Sequence, residues 1–264
     1  MQKILRCIIV LLVTLGALLP ALAAPGALKT DAPTVLITGS NRGIGLEFVR
    51  QYGAAGWNVI ATCRSPDRAS DLNSLAAGNS QIIVERLDVL DHAGIDALAA
   101  KYADQPIDVL LNNAGLMQGP DLGQMVGSID YDEFDRFYRI NAAGPLKVSE
   151  AFYPNIKKGE QKIMASLTTG KGEKGIPVPG FSLYKTSKAA LDAIQVEIAM
   201  RWRRQGVKAI TLLPGRVLTR GEDPASDPRA VAVEDSVAGM VDLLENLTLE
   251  QSGRTWQWDG ELVE

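Results

Sequence analysis

Short apolar runs alternate with amphipathic stretches along most of the chain. Thr34–Thr38 reads TVLIT, a compact run rich in β-branched residues, and apolar positions then recur at helical spacing through Ile44, Phe48, Val49 and Tyr52. The same pairing repeats. Trp57–Thr62, Gln81–Leu87, Ile107–Leu111, Gln161–Ser166 and Val207–Leu213 are predicted strands, with Thr255–Asp259 a short final one. Between them lie a short helix containing Asp71, Leu72 and Leu75 and longer helices over Asp91–Tyr102, Tyr131–Tyr153, Tyr184–Arg204 and Glu234–Asn246. Apolar strands bounded by helices need cover on both faces, which a parallel sheet between two helical layers provides. The expected fold is α/β: one Rossmann-type, doubly wound, mainly parallel sheet of about seven strands with helices on both faces, over residues 34–264.

The first residues follow another pattern. Lys3 and Arg6 precede an apolar run from Ile8 to Leu19, and Ala21-Leu22-Ala23 places small residues at the spacing of a cleavage site, with Pro25 beyond. Residues 1–24 are read as a signal peptide, or as a membrane anchor if uncleaved, and 25–33 as a linker. Export or anchoring is expected, with membrane contact through residues 1–24. A cytoplasmic location follows if the anchor faces inward or the start lies further along the chain.

Composition narrows the function classes. The chain has 264 residues, 46% hydrophobic and 22% charged, enough for one sizeable core. A net charge of −4 argues against a nucleic-acid binder, which shows a basic surplus. Of two cysteines, Cys7 lies in the N-terminal apolar run, leaving Cys63 as a small buried hydrophobe; neither a disulfide framework nor a metal site is expected. His92 is the only histidine and sits at a predicted helix start, so a Ser-His-Asp hydrolase is disfavoured.

The candidate chemistry lies where predicted strands end. The first strand runs into Thr38-Gly39-Ser40-Asn41-Arg42-Gly43-Ile44-Gly45, a T-G-x-x-x-G-x-G turn opening a helix. Its glycines permit a tight turn and close approach, and the helix start offers free N–H groups to a pyrophosphate. The second strand ends Ala61-Thr62-Cys63-Arg64-Ser65, without the carboxylate that would bind a ribose 2′-hydroxyl. Arg64 and Arg42 instead suit a 2′-phosphate, so NADP(H) is favoured over NAD(H). Asp88 follows the third strand, where it could reach an adenine edge. Asn112-Asn113-Ala114-Gly115 follows the fourth, and Pro214-Gly215-Arg216-Val217-Leu218-Thr219 the sixth. Tyr184 and Lys188 stand one helical turn apart on one face. A nearby ammonium favours the phenolate, and a tyrosine so tuned serves as a general acid or base.

These motifs, with Asn141 in Ile140-Asn141-Ala142-Ala143-Gly144, occur in the order found in short-chain dehydrogenases/reductases, and over about residues 34–260 the chain resembles that family. The ATCRSP turn and the WQWDGELVE ending are similar to its C-factor-like carbonyl reductases. The resemblance implies hydride transfer between NADP(H) and a carbonyl or alcohol substrate, and a homodimer or homotetramer. It implies that Tyr184 is the acid/base. Lys188 would lower its pKa and hold the nicotinamide ribose, and Asn141 would bend its helix and place a water in a proton relay. It also implies cofactor contacts from Gly39, Ser40, Asn41, Arg42, Gly43, Ile44, Gly45, Arg64, Asp88, Asn113, Ala114, Gly115, Pro214, Gly215, Val217 and Thr219. A serine after the fifth strand would bind the substrate carbonyl. Here the segment reads Met164-Ala165-Ser166-Leu167-Thr168-Thr169-Gly170. Counting from Gly170 puts Leu167 in that role; the strand end gives Ser166, which is expected to fill it, with Thr168 and Thr169 as alternates. A leucine there would weaken catalysis, and the second reading is a dinucleotide-binding regulatory or signalling protein with little turnover.

Overall fold

The computed structural model describes residues 28–117, 124–169, 179–218 and 227–263. The signal or anchor expected over residues 1–24 lies outside the described residues, as does Thr219. Strands β1 (Thr34–Thr38), β2 (Asn58–Cys63), β3 (Ile82–Arg86), β4 (Val109–Asn112), β5 (Ile163–Leu167), β6 (Lys208–Leu213), β9 (Thr255–Gln257) and β10 (Leu262–Val263) form one sheet. Its order is β10-β9-β6-β5-β4-β1-β2-β3. Every pairing is parallel except the terminal β9–β10. The seven expected strands are present. The eighth, β10, is a two-residue edge strand, too short to leave a pattern. A separate two-stranded sheet pairs β7 (Arg216–Val217) with β8 (Ala230–Val231).

The pleat divides the core. Val35 and Ile37 pack in one cluster with Phe48, Val49 and Tyr52 of α1 (Gly43–Ala54), Leu72 of α2 (Ser70–Gly78) and Val237 and Met240 of α7 (Val233–Glu245). Leu36 points the other way, to Ile95 of α3 (His92–Lys101), Val148 and Phe152 of α5 (Gly144–Lys158) and Ile198 of α6 (Ser182–Trp202). Burying each such side chain contributes on the order of 1.5–3 kcal/mol, which is why these unbroken apolar runs settle as central strands. Asp91 caps α3 by accepting from the Gly94 N–H at 2.9 Å, leaving His92 exposed beside it. Cys63 is buried as a free thiol.

The helix expected over Tyr131–Tyr153 is longer and interrupted. It runs as α4 (Tyr131–Tyr138), a π-helical turn over Arg139–Ala143 and then α5. At the turn's end the Gly144 N–H reaches back five residues to the Arg139 carbonyl. Gly144 also lies so close to the segment after β3 that a Cβ there would stand 2.8 Å from Val89 Cβ. Tight approach at Gly144 and the side-chain bonds of Asn141 described below hold this widened turn. Such turns gather at functional sites.

Candidate functional site

The chain winds β1-β2-β3 to one side of β1 and places β4, β5 and β6 on the other. At that reversal the helices leaving β1 and β4 diverge, opening a crevice at the strands' carboxyl ends. A cleft of about 370 Å³ lies there. Its walls come from the end of each strand in turn: Gly39 and Arg42 after β1, Cys63 and Arg64 at β2, Asp88 after β3, Asn113 to Met117 after β4, Leu167 and Thr168 at β5, and Pro214 after β6.

The glycine turn is built by exclusion. Gly39 adopts φ +70°, and a Cβ on it would stand 2.9 Å from Ala114 Cα. A Cβ on Gly45 would meet Asn113 Nδ2 and the Gly39 carbonyl at 2.4 Å. The turns after β1 and β4 are therefore locked together. Asn113 Nδ2 donates to the Thr38 and Gly39 carbonyls at 2.8 and 3.0 Å. The backbone N–H groups of Asn113 and Ala114 donate to the Thr38 hydroxyl at 3.1 and 3.0 Å. The motif alone gives Thr38 no role; its hydroxyl becomes central because β1 and β4 are neighbours. Ser40 is fully buried, and its hydroxyl donates to the Ile37 carbonyl at 2.9 Å, so it shapes the turn without facing the cleft. Asn41, Gly43 and Ile44 do line it.

At the far end Arg42 and Arg64 are both exposed, with Cys63 between strand and cleft. Asp88 lines the wall while its carboxylate accepts from the Leu90 N–H at 3.0 Å, so it serves the turn as well. Gly215, at φ +78°, packs its Cα against Trp258, where a Cβ would come within 3.0 Å of the indole. Val217 sits in β7 opposite Val231. Neither belongs to the cleft wall; Pro214 alone of that loop's described residues does. Leu87, Val89, Leu116, Met117, Arg136 and Ile140 also line it and were not anticipated. Leu116, Met117 and Ile140 directly follow or precede expected motifs, whereas Arg136 carried no sequence signal.

The opposite end holds the polar groups. Lys188 is 3% exposed, and its ammonium donates to the Leu167 carbonyl at 2.8 Å. A Cβ on Gly115 would stand 3.4 Å from both Lys188 Nζ and Asn141 Oδ1, so this backbone lies directly against the two polar side chains. Asn141 is fully buried. It accepts from the Leu116 N–H at 2.7 Å and donates to the Leu116 carbonyl and the Ser187 hydroxyl, both at 2.9 Å. The π-helical turn is thus tied to the segment after β4 and to α6. Tyr184 enters from the first turn of α6, where Gln124 caps the helix. Gln124 Oε1 accepts from the Tyr184 N–H at 3.1 Å, and its carbonyl from the Ser182 N–H at 3.2 Å.

Burial pushes the Tyr184 phenol up to about 12, while a hydrogen bond from the Thr169 hydroxyl pulls the other way. Burial also brings the Lys188 ammonium down to about 8, with nearby Asp192 opposing. Proximity of a cation was expected to lower Tyr184. Burial outweighs it, because Lys188 is itself desolvated and turned to the Leu167 carbonyl.

Ser166 stands apart from the groups it was expected to join. It is fully buried, on the same side of β5 as Met164, and donates to Gln195 Oε1 at 3.1 Å. Asn112 Nδ2 reaches it at 3.5 Å. Strand β5 runs one residue further than expected, and Leu167 with Thr168 after it forms the cleft wall.

A family model described as short chain dehydrogenase matches residues 33–230. The C-signal protein of Myxococcus xanthus is 33% identical over 168 residues, covering 63% of this chain and 98% of the relative. The 1-hydroxy-2-glutathionyl-2-methyl-3-butene dehydrogenase of Rhodococcus sp. strain AD45 is 32% identical over 236 residues, covering 88% of this chain and 99% of that one. The crystal structure of NADPH-bound carbonyl reductase from chicken fatty liver superposes with a TM-score of 0.80 at 30% identity, over 88% of this chain and 98% of that one. With the matched motifs at the carboxyl ends of its parallel strands, the chain belongs to the short-chain dehydrogenase/reductase family of oxidoreductases.

Proposed function

We propose that this protein is an NADP(H)-dependent reductase or dehydrogenase acting on a carbonyl/alcohol pair, with Tyr184 as the acid/base. The observation that carries the reading is one cleft with two chemically distinct ends. Arg42 and Arg64 stand at one, and Tyr184 with Lys188 at the other, joined by the glycine turn and Gly115. The groups present fit the cofactor. Gly39, Gly43 and Gly115 line the cleft without side chains, and the exposed guanidinium groups of Arg42 and Arg64 on its wall would receive a 2′-phosphate. NADPH is the cofactor bound in the chicken carbonyl reductase, which supports the same preference here.

When bound, the cofactor supplies a hydride to the substrate carbon. The chain's own residues manage the rest. Tyr184, with its phenol held near 12, is protonated at neutral pH and so is poised to donate to a carbonyl oxygen. Lys188 stands next to Gly115, where it would hold the nicotinamide ribose. Asn141 holds the post-β4 segment and α6 in register, keeping the wall opposite Tyr184 fixed. In the oxidative direction Tyr184 must first lose its proton, so high pH favours alcohol oxidation and neutral pH favours reduction.

The test is initial-rate spectroscopy of NADPH and NADH oxidation with a panel of aldehydes and ketones. Turnover with NADPH, weaker with NADH, is expected. The second reading, a nucleotide-binding protein with little turnover, is favoured by Leu167 standing where a serine was sought. Tight NADPH binding with no substrate oxidised or reduced would establish it. Export or anchoring and a homo-oligomer are carried as further proposals. The first rests on residues 1–24 and is tested by cell fractionation with N-terminal sequencing; the second is tested by solution mass.

A further inference from the structure

Tyr184 stands at a weak point of its helix. It is the third residue of α6, and the first turn of a helix leaves its N–H groups without partners inside the helix. A serine, threonine or aspartate at the N-cap ordinarily accepts one of them. Here the N-cap is Phe181, whose side chain caps nothing. The first bond within the helix comes only at Lys185, whose N–H donates to the Phe181 carbonyl at 2.8 Å. Gln124 supplies what α6 lacks. Its backbone carbonyl accepts from the Ser182 N–H at 3.2 Å and its side-chain Oε1 from the Tyr184 N–H at 3.1 Å, the latter across 60 residues of sequence. Gln124 is fully buried, although the four residues after it, Met125 to Ser128, are exposed. Burying an amide is costly unless it is bonded, so its place at this helix end is what accounts for its burial. The Tyr184 backbone is held on its other side as well. Its carbonyl accepts from the Ser187 hydroxyl at 2.8 Å, and Ser187 accepts from Asn141 at 2.9 Å.

We infer that Gln124 is a positioning residue for the reaction, a helix cap supplied by the segment after β4 that fixes where the Tyr184 side chain stands in the cleft. This rests on the reading of Tyr184 as acid/base. Proton transfer needs Tyr184 Oη within hydrogen-bond reach of the substrate oxygen, and a displacement of about 1 Å costs about 100-fold in rate. A first turn that loses its cap frays, and the Tyr184 Cα lies in that turn. Lys188 is one turn further on and is anchored separately by the Leu167 carbonyl. Loss of the cap therefore moves the phenol relative to the ammonium, not the pair together. The segment after β4 also carries the cleft wall at Gly115, Leu116 and Met117, so one stretch of chain holds both that wall and the helix end that bears Tyr184. Glutamine suits the place. Its side chain is long enough to reach from a surface segment to the helix end, and its neutral oxygen accepts an N–H bond without setting a full charge in a buried position.

The experiment compares Gln124→Met, which keeps the side-chain length and removes the acceptor, with Gln124→Glu, which keeps an acceptor oxygen. Asn79→Ala is the control for general loosening. It removes side-chain bonds to the Gly53 carbonyl and from the Gln81 N–H, at the amino end of β3 and away from the cleft. The readouts are kcat for carbonyl reduction at saturating NADPH, NADPH affinity, and amide hydrogen exchange over the first turn of α6 in cofactor-free protein. The last needs no turnover. Gln124→Met is expected to lower kcat by about 10- to 100-fold, to leave NADPH affinity within about threefold of wild type, and to speed exchange from Ser182 to Tyr184. Gln124→Glu is expected to restore slow exchange and to return kcat to within about tenfold of wild type. Asn79→Ala is expected to hold kcat within about threefold. An unchanged kcat in Gln124→Met, an equal loss in Asn79→Ala, or no recovery in Gln124→Glu overturns the assignment. So does a Gln124→Met protein that no longer binds NADPH, since Gln124 then serves the fold at large. Faster exchange in Gln124→Met that Gln124→Glu reverses, with no carbonyl turnover by wild type, refutes the functional reading of Tyr184 and leaves the cap standing.

Discussion

At the scale of single residues, the cleft holds two titratable groups driven in opposite directions by burial. Lys188 is the more exposing test of the electrostatics. Its ammonium titrates near 8 in the fold and near 10.5 when unfolded, so between those values the unfolded chain binds more protons. Stability contributed through this group is therefore lacking below pH 8 and rises as pH goes from 8 to 10.5. Tyr184 has the opposite sign in a higher window: its stabilising share is present below pH 10 and is lost as pH rises through about 12. Replacing Lys188 by Met removes the first dependence. Wild type is expected to gain on Lys188→Met in thermal melts of cofactor-free protein as pH is raised from 8 to 10, and parallel melting curves would contradict a desolvated lysine. Tyr184 and Lys188 were legible because a one-turn spacing fixes a shared helix face. The direction of the phenol's shift was not, because desolvation depends on what α6 is packed against, and that is a property of the sheet.

At the scale of elements, the interrupted helix from Tyr131 to Lys158 is the part that sequence pattern rendered as continuous. An apolar stripe carries on through a π turn with little change, and what marks the turn is side-chain bonding across to other elements. Asn141 ties the turn to two such elements, the segment after β4 and α6, with three hydrogen bonds. Asn141→Ala leaves the Leu116 N–H and carbonyl and the Ser187 hydroxyl without that partner. Unsatisfied buried groups cost on the order of 1–3 kcal/mol each, partly relieved by relaxation, so a loss of roughly 2–4 kcal/mol is expected. In a domain of this size that lowers Tm by on the order of 5–15 °C. Calorimetry checks it; a shift within about 1 °C would mean that the π turn stands without Asn141. The β5 end shows the same limit. Alternation along β5 puts neighbouring side chains on opposite faces, and so Leu167 lies at the wall while Ser166 lies behind it.

At the scale of the molecule, most of the architecture could be read from the chain. Seven strands and the helices between them follow from period and from glycine-bearing turns, since parallel strands must be apolar on both faces. Strand order was not encoded in that pattern. It is the order that makes β1 and β4 neighbours, gives the Thr38 hydroxyl its two backbone donors and opens the cleft between the turns they carry. The cofactor preference belongs to this scale too, because Arg42 and Arg64 come from the ends of two strands and bear on a chain of net charge −4. A charge-assisted bond to phosphate is worth about 1.5–3 kcal/mol, or about 10- to 100-fold in affinity for each arginine. Arg42→Ala with Arg64→Ala is expected to weaken NADPH binding by about 100-fold or more, with NADH binding altered by less than about threefold. Both side chains are exposed, so folding stability is expected to change little, and fluorescence titration with the two nucleotides reads the contrast. Equal losses for NADPH and NADH would remove the 2′-phosphate from the account.

The whole reading converges on one oxygen atom, the Tyr184 Oη at the end of the cleft. Its direct test is Tyr184→Phe, with NADPH binding and carbonyl-dependent NADPH oxidation followed in the same preparation. The account predicts NADPH affinity within about threefold of wild type and turnover reduced at least about 100-fold, the size of a lost general acid. A Tyr184→Phe protein that binds NADPH and turns over as fast as wild type would contradict it.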